Sequence, residues 1–289
     1  MIGTGNSLRR SNGHRQRGSR DCLWESLPVI KRMGEILRSY AERDGRGYPD
    51  WALRYVPIAH RMRRLFISSG VKSPRVLEIG ANTCGLSRFA PFSIVAVNKS
   101  REELLRLTVN TESFRVVADA TRLPFLAETF DGVACIDTLE HLPKPERLTA
   151  VTEICRVLGT HGIGVIAFPY GQDADLAEKQ MGEAYFSLTQ RRLPWLEEHT
   201  ACGLPDPIEV RGSIENAIQG THDVKERNNT PIWLWKIIWY ILLCGWPGRG
   251  NAVFQALLRL FVPILVHIRF GEAYRKELWI IPKSLGKSP

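Results

Sequence analysis

The sequence predicts an α/β fold, a doubly wound sheet whose strands are mostly parallel. Short apolar runs alternate with helical patterns from residue 74 onward, and the first run ends in an acid and a glycine-bearing turn. Hydrophobic residues make up 44% of the 289 residues, which is enough for one large core. Strands separated by helices need right-handed crossovers, so neighbouring strands are expected to be parallel, with a ligand site at their carboxyl ends.

The segment before the sheet is predicted to contain two helices behind a basic arm. Residues 1–20 are rich in Gly, Ser, Asn and Arg and contain no apolar run, so they are predicted to be disordered and to lack a secretory signal. Within residues 21–72, apolar side chains recur at helical spacing over 23–37 and again over 51–66.

Residues 73–211 are predicted to form the core. Arg75–Ile79 is predicted to be a buried strand, Gly80 lets the backbone turn tightly, and a helix is expected to begin at Leu86. The other predicted strands are 92–97, 114–117, 132–136 and 162–168, and the predicted helices are 102–108 and 148–158. This arrangement gathers the strand ends Glu78–Gly85, Asn98, Asp119 and Asp137 around one crevice.

Five short motifs follow one another through this core. They are Leu-Glu-Ile-Gly at 77–80, Ala-Asp-Ala-Thr-Arg-Leu-Pro-Phe at 118–125, Phe-Asp-Gly-Val at 130–133, Asp-Thr-Leu-Glu-His-Leu-Pro at 137–143 and Glu-Ile-Cys-Arg-Val-Leu-Gly-Thr-His-Gly at 153–162. In this order they resemble the successive motifs of the class I S-adenosylmethionine-dependent methyltransferases. The resemblance implies a Rossmann-like seven-stranded sheet, S-adenosyl-L-methionine as the cofactor, and methyl transfer by in-line displacement.

The resemblance also implies roles for individual residues. Glu78 would orient the glycine loop and engage the amino-acid end of the cofactor, and Gly80 would let the backbone approach it. Asp119 would accept a hydrogen bond from the adenine amino group, and Asp137 would lie beside the methionine portion. The full implied cofactor-binding set is Glu78, Gly80, Ala81, Asn82, Gly85, Asn98, Asp119, Ala120, Asp137 and Thr138.

The chain departs from the family pattern at three positions. Asn82 and Cys84 replace two glycines of the usual loop, and Asn98 replaces the acid that grips the ribose hydroxyls. An asparagine side chain still donates and accepts hydrogen bonds and tolerates left-handed backbone angles, so we expect cofactor binding to survive. A degenerate, non-catalytic cofactor-binding relative is the alternative.

Methyl transfer needs alignment more than side-chain chemistry, so a general base is optional. The catalytic candidates are His141 and His199, because imidazole titrates near neutral pH, and Tyr170, at the end of the fifth strand. The six cysteines are scattered and no Cys/His ligand spacing occurs, so the sequence predicts no metal site and favours a reducing cytoplasm.

The carboxyl-terminal third is predicted to determine the choice of acceptor. Segments 207–210 and 277–281 are predicted to be the last two strands, antiparallel at one edge, with 274–289 forming the final strand and tail. The intervening 212–273 is predicted to be an apolar helical insertion. It contains a tryptophan-rich run at 231–247. Segment 252–270 is apolar except for Gln255, Arg259, His267 and Arg269. Positions 255, 259, 263 and 267, with Pro263 among them, would form a narrow stripe along one side of a helix.

Three interpretations of the insertion stay open: peripheral attachment to a membrane, a buried lid or dimer interface, and a helical hairpin in the bilayer. Under the first, the cytoplasmic protein would lie peripherally at the inner face of the membrane and the acceptor would be small or lipid-linked, such as a lipid, a quinone or a glycan precursor. The sequence does not predict the acceptor atom or the oligomeric state.

An RNA methyltransferase is the alternative enzyme class. Residues 1–75 hold 16 Lys and Arg against 6 Asp and Glu, a basic excess that could bind nucleic acid, whereas residues 76–205 hold 12 against 17. Against RNA, the basic arm has no interleaved aromatic residues, and Asp137-Thr-Leu-Glu stands where base methyltransferases carry an Asn-Pro-Pro-Tyr-type motif.

Overall fold

A seven-stranded mixed sheet organises the computed structural model, which describes residues 48–107, 113–244, 258 and 260–285. The strands are β1 (Arg75–Ile79), β2 (Ser93–Asn98), β3 (Phe114–Val117), β4 (Phe130–Ile136), β5 (Leu158–Pro169), β6 (His222–Pro231) and β7 (Ala273–Pro282). Their order is β3-β2-β1-β4-β5-β7-β6; β1 to β5 are parallel, and β7 is antiparallel to both β5 and β6. The predicted fold class and the five core strands are confirmed.

Helices cover both faces of the sheet. They are α1 (Tyr48–Ser68), α2 (Arg101–Arg106), α3 (Lys144–Val157), α4 (Gly171–Thr189), α5 (Pro194–Cys202), α6 (Pro207–Ile218) and α7 (Ile232–Trp239). Ile58 and Met62 of α1 are fully buried in the apolar layer on one face, and Ile154 of α3 and Ile214 of α6 are fully buried in the layer on the other. Because the sheet is covered on both faces, its ligand site is restricted to the carboxyl ends of the parallel strands.

Of the two predicted N-terminal helices, the second is confirmed as α1. The predicted disordered arm at 1–20 and the predicted helix at 23–37 lie outside the described residues.

The helix expected from Leu86 onward is wrong. The chain makes only a single 3₁₀ turn, Leu86–Arg88, before β2. Pro91 follows closely, and a proline disfavours helical backbone angles at the residue before it, so a longer helix cannot develop between the loop and the strand.

The predicted strand at 207–210 is also wrong, because this segment begins α6. The carboxylate of Asp206 accepts a hydrogen bond from the backbone N–H of Ile208 at 2.9 Å, and Pro207 occupies the first turn. An Asp cap followed by a proline is a helix start, and it prevails over the β-branched residues that follow. The sixth strand is instead β6, inside the segment 212–273 that was predicted to be a helical insertion.

The tryptophan-rich helix α7 contributes one face to the protein core. Leu234, Trp235 and Ile238 are buried, and the ring of Trp235 stacks on that of Tyr274 with centroids 4.1 Å apart. A second helical stretch at 260–265 buries Val262, while Trp246 and two of the four positions of the predicted polar stripe, Gln255 and Arg259, lie outside the described residues. Among the described helices, none combines the length and apolarity needed to cross a bilayer.

Candidate functional site

A cleft of about 310 Å³ opens at the carboxyl ends of β1, β2, β3 and β4. Seven of the ten predicted cofactor residues line it: Gly80, Asn82, Asn98, Asp119, Ala120, Asp137 and Thr138. The other three, Glu78, Ala81 and Gly85, lie behind its wall. Five further residues line the cleft without having been predicted from the sequence: Lys99, Ser100, Glu103, Leu142 and Glu198.

Gly80 forms the part of the cleft wall that only a glycine can form. Its φ is +78°, and a Cβ there would lie 2.0 Å from Oγ1 of Thr138. That hydroxyl lies 3.2 Å from the backbone oxygens of both Ile79 and Ile136, so it has little freedom to move. The Gly80 N–H donates to the oxygen of Val97 at 2.8 Å, which fixes the loop against β2.

Glu78 supports the loop from behind. Its carboxylate accepts a hydrogen bond from the backbone N–H of Leu86 at 2.7 Å, at the start of the 3₁₀ turn. A Cβ at Gly85 would lie 2.7 Å from Oε2 of Glu78, so this glycine makes room for the acid. Burial raises the pKa of Glu78 to about 7, against the lowering effect of the N–H groups of Leu86 and Ser87.

This raised pKa predicts that stability falls as pH increases. The folded protein retains a proton on Glu78 up to pH 7, whereas the unfolded chain loses it near 4.5. The contribution is therefore fully present below about pH 4.5 and is lost through pH 7, a change of about 3 kcal/mol. Urea unfolding between pH 5 and 8 should show a shallower decline for Glu78→Gln than for the exposed control Glu215→Gln. Equal slopes in the two variants would contradict the prediction.

Asn98 acts as a brace at the end of β2. Its Nδ2 donates to the oxygen of Ala81 at 2.9 Å, and its Oδ1 accepts from the N–H of Ser100 at 2.8 Å. The amide thus ties the glycine loop to the start of α2. Glu103, on that helix, lines the same cleft and supplies a carboxylate in this region.

Asp119 is exposed at the end of β3, where its carboxylate is held in place. Its Oδ1 accepts hydrogen bonds from the hydroxyl of Thr121 at 2.7 Å and from the N–H of the same residue at 2.8 Å. These two bonds lower the pKa of Asp119 and keep it charged at neutral pH. The cleft therefore presents an anionic acceptor where the resemblance expects one for adenine.

A second cavity of about 190 Å³ adjoins the cleft and shares Asn82, Asp137 and His141 with it. Its walls combine an aromatic surface with buried charge. The remaining lining residues are Trp51, Arg54, Glu140, Trp195, His199, Trp235, Trp239, Tyr274 and Arg275.

Two acids and two arginines are buried together at this junction. The Nε of Arg275 lies 2.7 Å from the Asp137 carboxylate, and the Nη1 of Arg54 lies 3.2 Å from it. Asp50 pairs with both arginines and accepts a hydrogen bond from the Trp239 indole at 3.2 Å. Burial raises the pKa of Asp50, but the two guanidinium charges outweigh it and hold that pKa below its usual range. Asp137 lies beside the cleft as predicted, and the arginines fix its orientation.

His141 and His199 were proposed separately, and the structure brings them together. Their Nε2 atoms are 3.4 Å apart. Nδ1 of His199 lies 3.0 Å from both oxygens of Glu178, and Nδ1 of His141 lies 2.6 Å from Glu198. Burial and the neighbouring His199 lower the pKa of His141; burial also lowers that of His199, but the Glu178 bond and the charges of Glu140 and Glu178 raise it overall.

Arg147 fixes the position of the two histidines relative to each other. Its Nε donates to the backbone oxygens of Leu139 and Leu142, each at 2.8 Å, on either side of His141. Its Nη2 donates to the oxygens of Cys202 at 2.8 Å and Gly203, at the end of the helix that carries His199. This one guanidinium therefore joins the two segments that supply the histidines.

Tyr170, the third catalytic candidate, lies away from the two histidines. It lines neither cavity, and its ring lies 4.7 Å from the ammonium of Lys276. The strand β5 runs on to Pro169, and the chain turns at Gly171 into α4, so Tyr170 packs against the apolar core instead.

A sheet of this order, with a glycine turn after β1 and acids at neighbouring strand ends, is the Rossmann-like fold of class I S-adenosylmethionine-dependent methyltransferases. A putative methyltransferase from an antibiotic biosynthesis pathway of Anabaena variabilis is similar, with a TM-score of 0.51 and 15% identity over 80% of this chain and 98% of its own. The plantazolicin methyltransferase BamL, in complex with a triazolic desmethylPZN analog and SAH, has a TM-score of 0.50 and 13% identity over 90% of this chain and 92% of its own.

Residues 77–166 match the sequence model of a family described as a methyltransferase domain. This segment is therefore similar to a methyltransferase domain, in agreement with the resemblance of the motifs, and the neighbouring plantazolicin methyltransferases BamL and BpumL were solved in complex with SAH. No curated protein matches the sequence. The residues of the cleft fit S-adenosylmethionine, because Gly80 leaves a space that any side chain would fill and Asp119 presents a charged hydrogen-bond acceptor.

Proposed function

We propose that the protein methylates a heteroatom of a lipid or lipid-linked acceptor whose reacting end enters the tryptophan-lined cavity. The observation that carries this proposal is that this cavity adjoins the cofactor cleft and shares three lining residues with it. Two ligands bound in these spaces would meet beside Asn82, Asp137 and His141.

The residues of the cleft would hold the cofactor in the places that the family resemblance assigns. Asp119 would bind the adenine end, Asn98 the region of the ribose, and Gly80 and Asp137 the methionine end. Glu103, to which the resemblance assigns no role, lines the cleft near Asn98 and would supply a carboxylate to the ribose. S-adenosylmethionine supplies a methyl group on a sulfonium, which is electrophilic without further activation. The chain therefore contributes mainly alignment, and well-oriented reactants gain roughly 7–11 kcal/mol.

The second cavity, called the acceptor cavity below, would hold the acceptor and exclude water. The indoles of Trp195 and Trp239 have ring centroids 5.2 Å apart and provide an apolar wall. His141 and His199 are the groups that could receive a proton from the acceptor, because both line this cavity. With Asp137 held by two arginines, the polar end of the acceptor would meet fixed hydrogen-bonding groups.

The lipid character of the acceptor is inferred from the outer face of α7, which points away from the acceptor cavity. The buried face of this helix carries Trp235 into the acceptor cavity, while its outer face is apolar and exposed. The Trp233 ring stacks on Phe270 at 5.1 Å, which joins α7 to the segment around the 260–265 helix. The exposed apolar surface, as we call it below, consists of Trp233, Ile237, Tyr240, Leu260, Phe261, Ile264 and Phe270. An exposed apolar area of this kind is typical of a contact with another molecule or a membrane.

A basic cleft of about 560 Å³ lies beside this surface. Val266 and Arg269, from the segment that follows the 260–265 helix, line it, and Glu277 is its one acidic lining residue among those described. Its cationic or titratable members are His60, Arg61, Arg63, Arg64, Arg227, His267 and Arg269. Basic side chains next to exposed apolar side chains favour an anionic membrane surface.

A labelled-methyl assay tests this proposal. With S-adenosylmethionine carrying a labelled methyl group, the protein should transfer label to the organic phase of a cell extract and should float with anionic vesicles. The double variant Phe261→Ser/Ile264→Ser, at positions 55% and 64% exposed, should reduce both signals about tenfold or more. The control Leu126→Ser removes a side chain that is 83% exposed at a distant position and should leave both unchanged.

Other outcomes would contradict the proposal in distinguishable ways. Label in water-soluble small molecules, with no effect of the double variant, would remove the lipid acceptor and keep the methyltransferase. Label in RNA would favour the alternative enzyme class. No label in any fraction would identify a non-catalytic relative.

A further inference from the structure

We propose that Glu140, His141 and His199 bind a divalent transition-metal ion of the Zn²⁺ class where the cofactor cleft meets the acceptor cavity. One ligand atom from each residue lies within 4.8 Å of the other two. The proposal rests on the geometry of these side chains and does not depend on the lipid character of the acceptor.

The distance between the two imidazoles suits a shared metal. Their Nε2 atoms are 3.4 Å apart. Two nitrogens bound to one tetrahedral Zn²⁺ at about 2.0–2.1 Å are themselves separated by roughly 3.3–3.4 Å. The two rings therefore already have the spacing that a common ion requires.

The other nitrogen of each ring is held by a carboxylate. Glu178 lies 3.0 Å from Nδ1 of His199, and Glu198 lies 2.6 Å from Nδ1 of His141. When each Nδ1 donates its proton to its carboxylate, both Nε2 atoms present lone pairs to each other, and a cation between them resolves the repulsion. Metal-binding histidines are usually oriented in this way, by a carboxylate on the nitrogen that does not touch the metal. Tyr274 donates to Glu178 at 2.5 Å and fixes this outer carboxylate in turn.

The burial of Glu140 is a second indication of a cation at this site. Its side chain is completely buried, and neither carboxylate oxygen has a hydrogen-bond partner among the residues that the structure describes. A buried carboxylate without a partner either takes up a proton or requires a cation beside it, and a metal ion supplies that charge. In a tetrahedral site the Glu140 oxygen would lie about 3.3–3.4 Å from each nitrogen, so this side chain must move by up to about 1.4 Å from its present distance of at most 4.8 Å.

Three protein ligands leave a coordination position open. All three residues line the acceptor cavity, and His141 also lines the cofactor cleft. The open position would accept a water molecule or a hydroxyl or carboxylate oxygen of the acceptor. A coordinated hydroxyl loses its proton to solvent more readily, which leaves an oxygen lone pair to form the bond to the methyl carbon as the sulfonium–carbon bond breaks. Both imidazoles then serve as ligands rather than as bases.

Titration of the purified full-length chain with Co²⁺, followed by its visible absorption, tests the site directly. We expect one equivalent of Co²⁺ to give the intense bands of a low-coordinate N/O site, and one equivalent of Zn²⁺ to displace them. His199→Gln and Glu140→Gln should each abolish the bands. Glu178→Gln should weaken binding about 10–100-fold without abolishing it, because it only orients a ligand. The control His161→Gln removes an exposed histidine away from the site and should bind as the parent does.

Two results would overturn the proposal. Absence of a Co²⁺ spectrum in the parent, or a spectrum that survives His199→Gln, would show that the two rings do not share a metal ion. Circular dichroism of each variant checks that it is folded. Titration of the parent and of the Glu140 and His199 variants with S-adenosylmethionine separates this failure from failure of the methyltransferase function, because neither Glu140 nor His199 lines the cofactor cleft.

Discussion

Replacement of Gly80 by alanine should abolish S-adenosylmethionine binding while leaving the protein folded. The added methyl group would lie 2.0 Å from Oγ1 and 2.6 Å from Cγ2 of Thr138, at a backbone φ of +78° that alanine rarely adopts. Relief requires the loop to move away from β4, and the loop forms the wall of the cofactor cleft. We expect affinity to fall at least about 100-fold, equivalent to roughly 2.7 kcal/mol or more.

Calorimetric titration with S-adenosylmethionine measures this effect, and Gly212→Ala is the matched control. Gly212 lies in α6, and a Cβ there would meet nothing within 4 Å. That variant should bind the cofactor normally and gain up to about 1 kcal/mol in stability, since alanine favours a helix. Binding by Gly80→Ala within threefold of the parent would contradict the assignment of this loop. Absence of binding by the parent would contradict the cofactor site itself.

Replacement of Arg275 by methionine should produce the largest loss of stability. Arg275 is 2% exposed and pairs with both Asp137 and Asp50, so its removal leaves two buried carboxylates to share Arg54. Breaking a buried ion pair from one side costs about 3–5 kcal/mol, because the remaining charge has no compensation. Methionine keeps much of the side-chain volume and so isolates the loss of charge.

Urea unfolding of Arg275→Met and of Arg211→Met gives the comparison. Arg211 also pairs with two carboxylates, Glu215 and Glu226, but its side chain is 42% exposed. Exposed pairs contribute about 0–1 kcal/mol, so this control should lose little. Similar losses in the free energy of unfolding of the two variants would show that burial does not increase the contribution of the Arg275 cluster to stability.

The core strands could be predicted because each is a short apolar run bounded by turn residues. β6 could not, because its sequence, His-Asp-Val-Lys-Glu-Arg-Asn-Asn-Thr-Pro, is largely polar and lies at the edge of the sheet. Hydrogen bonding to β7 makes it a strand, and hydrophobic periodicity does not report such pairing. The adjacent segment at 207–210 looked more like a strand, although a helix cap decides its conformation.

The cofactor residues were predictable because their motifs are local, whereas the junction depends on contacts between distant segments. His141 and His199 were each identified by residue type, but their spacing in the sequence gives no sign that they meet. Arg54 and Arg275 carried no local signal, because a lone arginine in a helix or strand usually faces solvent. Glu140 stood next to a proposed residue, and only its complete burial distinguishes it.

The position of β7 has a consequence for protein synthesis. This strand is the last of the described strands along the chain, yet it lies between β5 and β6 and carries Arg275 into contact with Asp137. A nascent chain that has reached residue 272 therefore holds β6 without β7, its partner among the described strands, and the buried acids without their second arginine. The sheet and the acceptor cavity are completed together in a late, long-range step, and until then the ribosome-bound protein exposes an unpaired strand to chaperones and to aggregation.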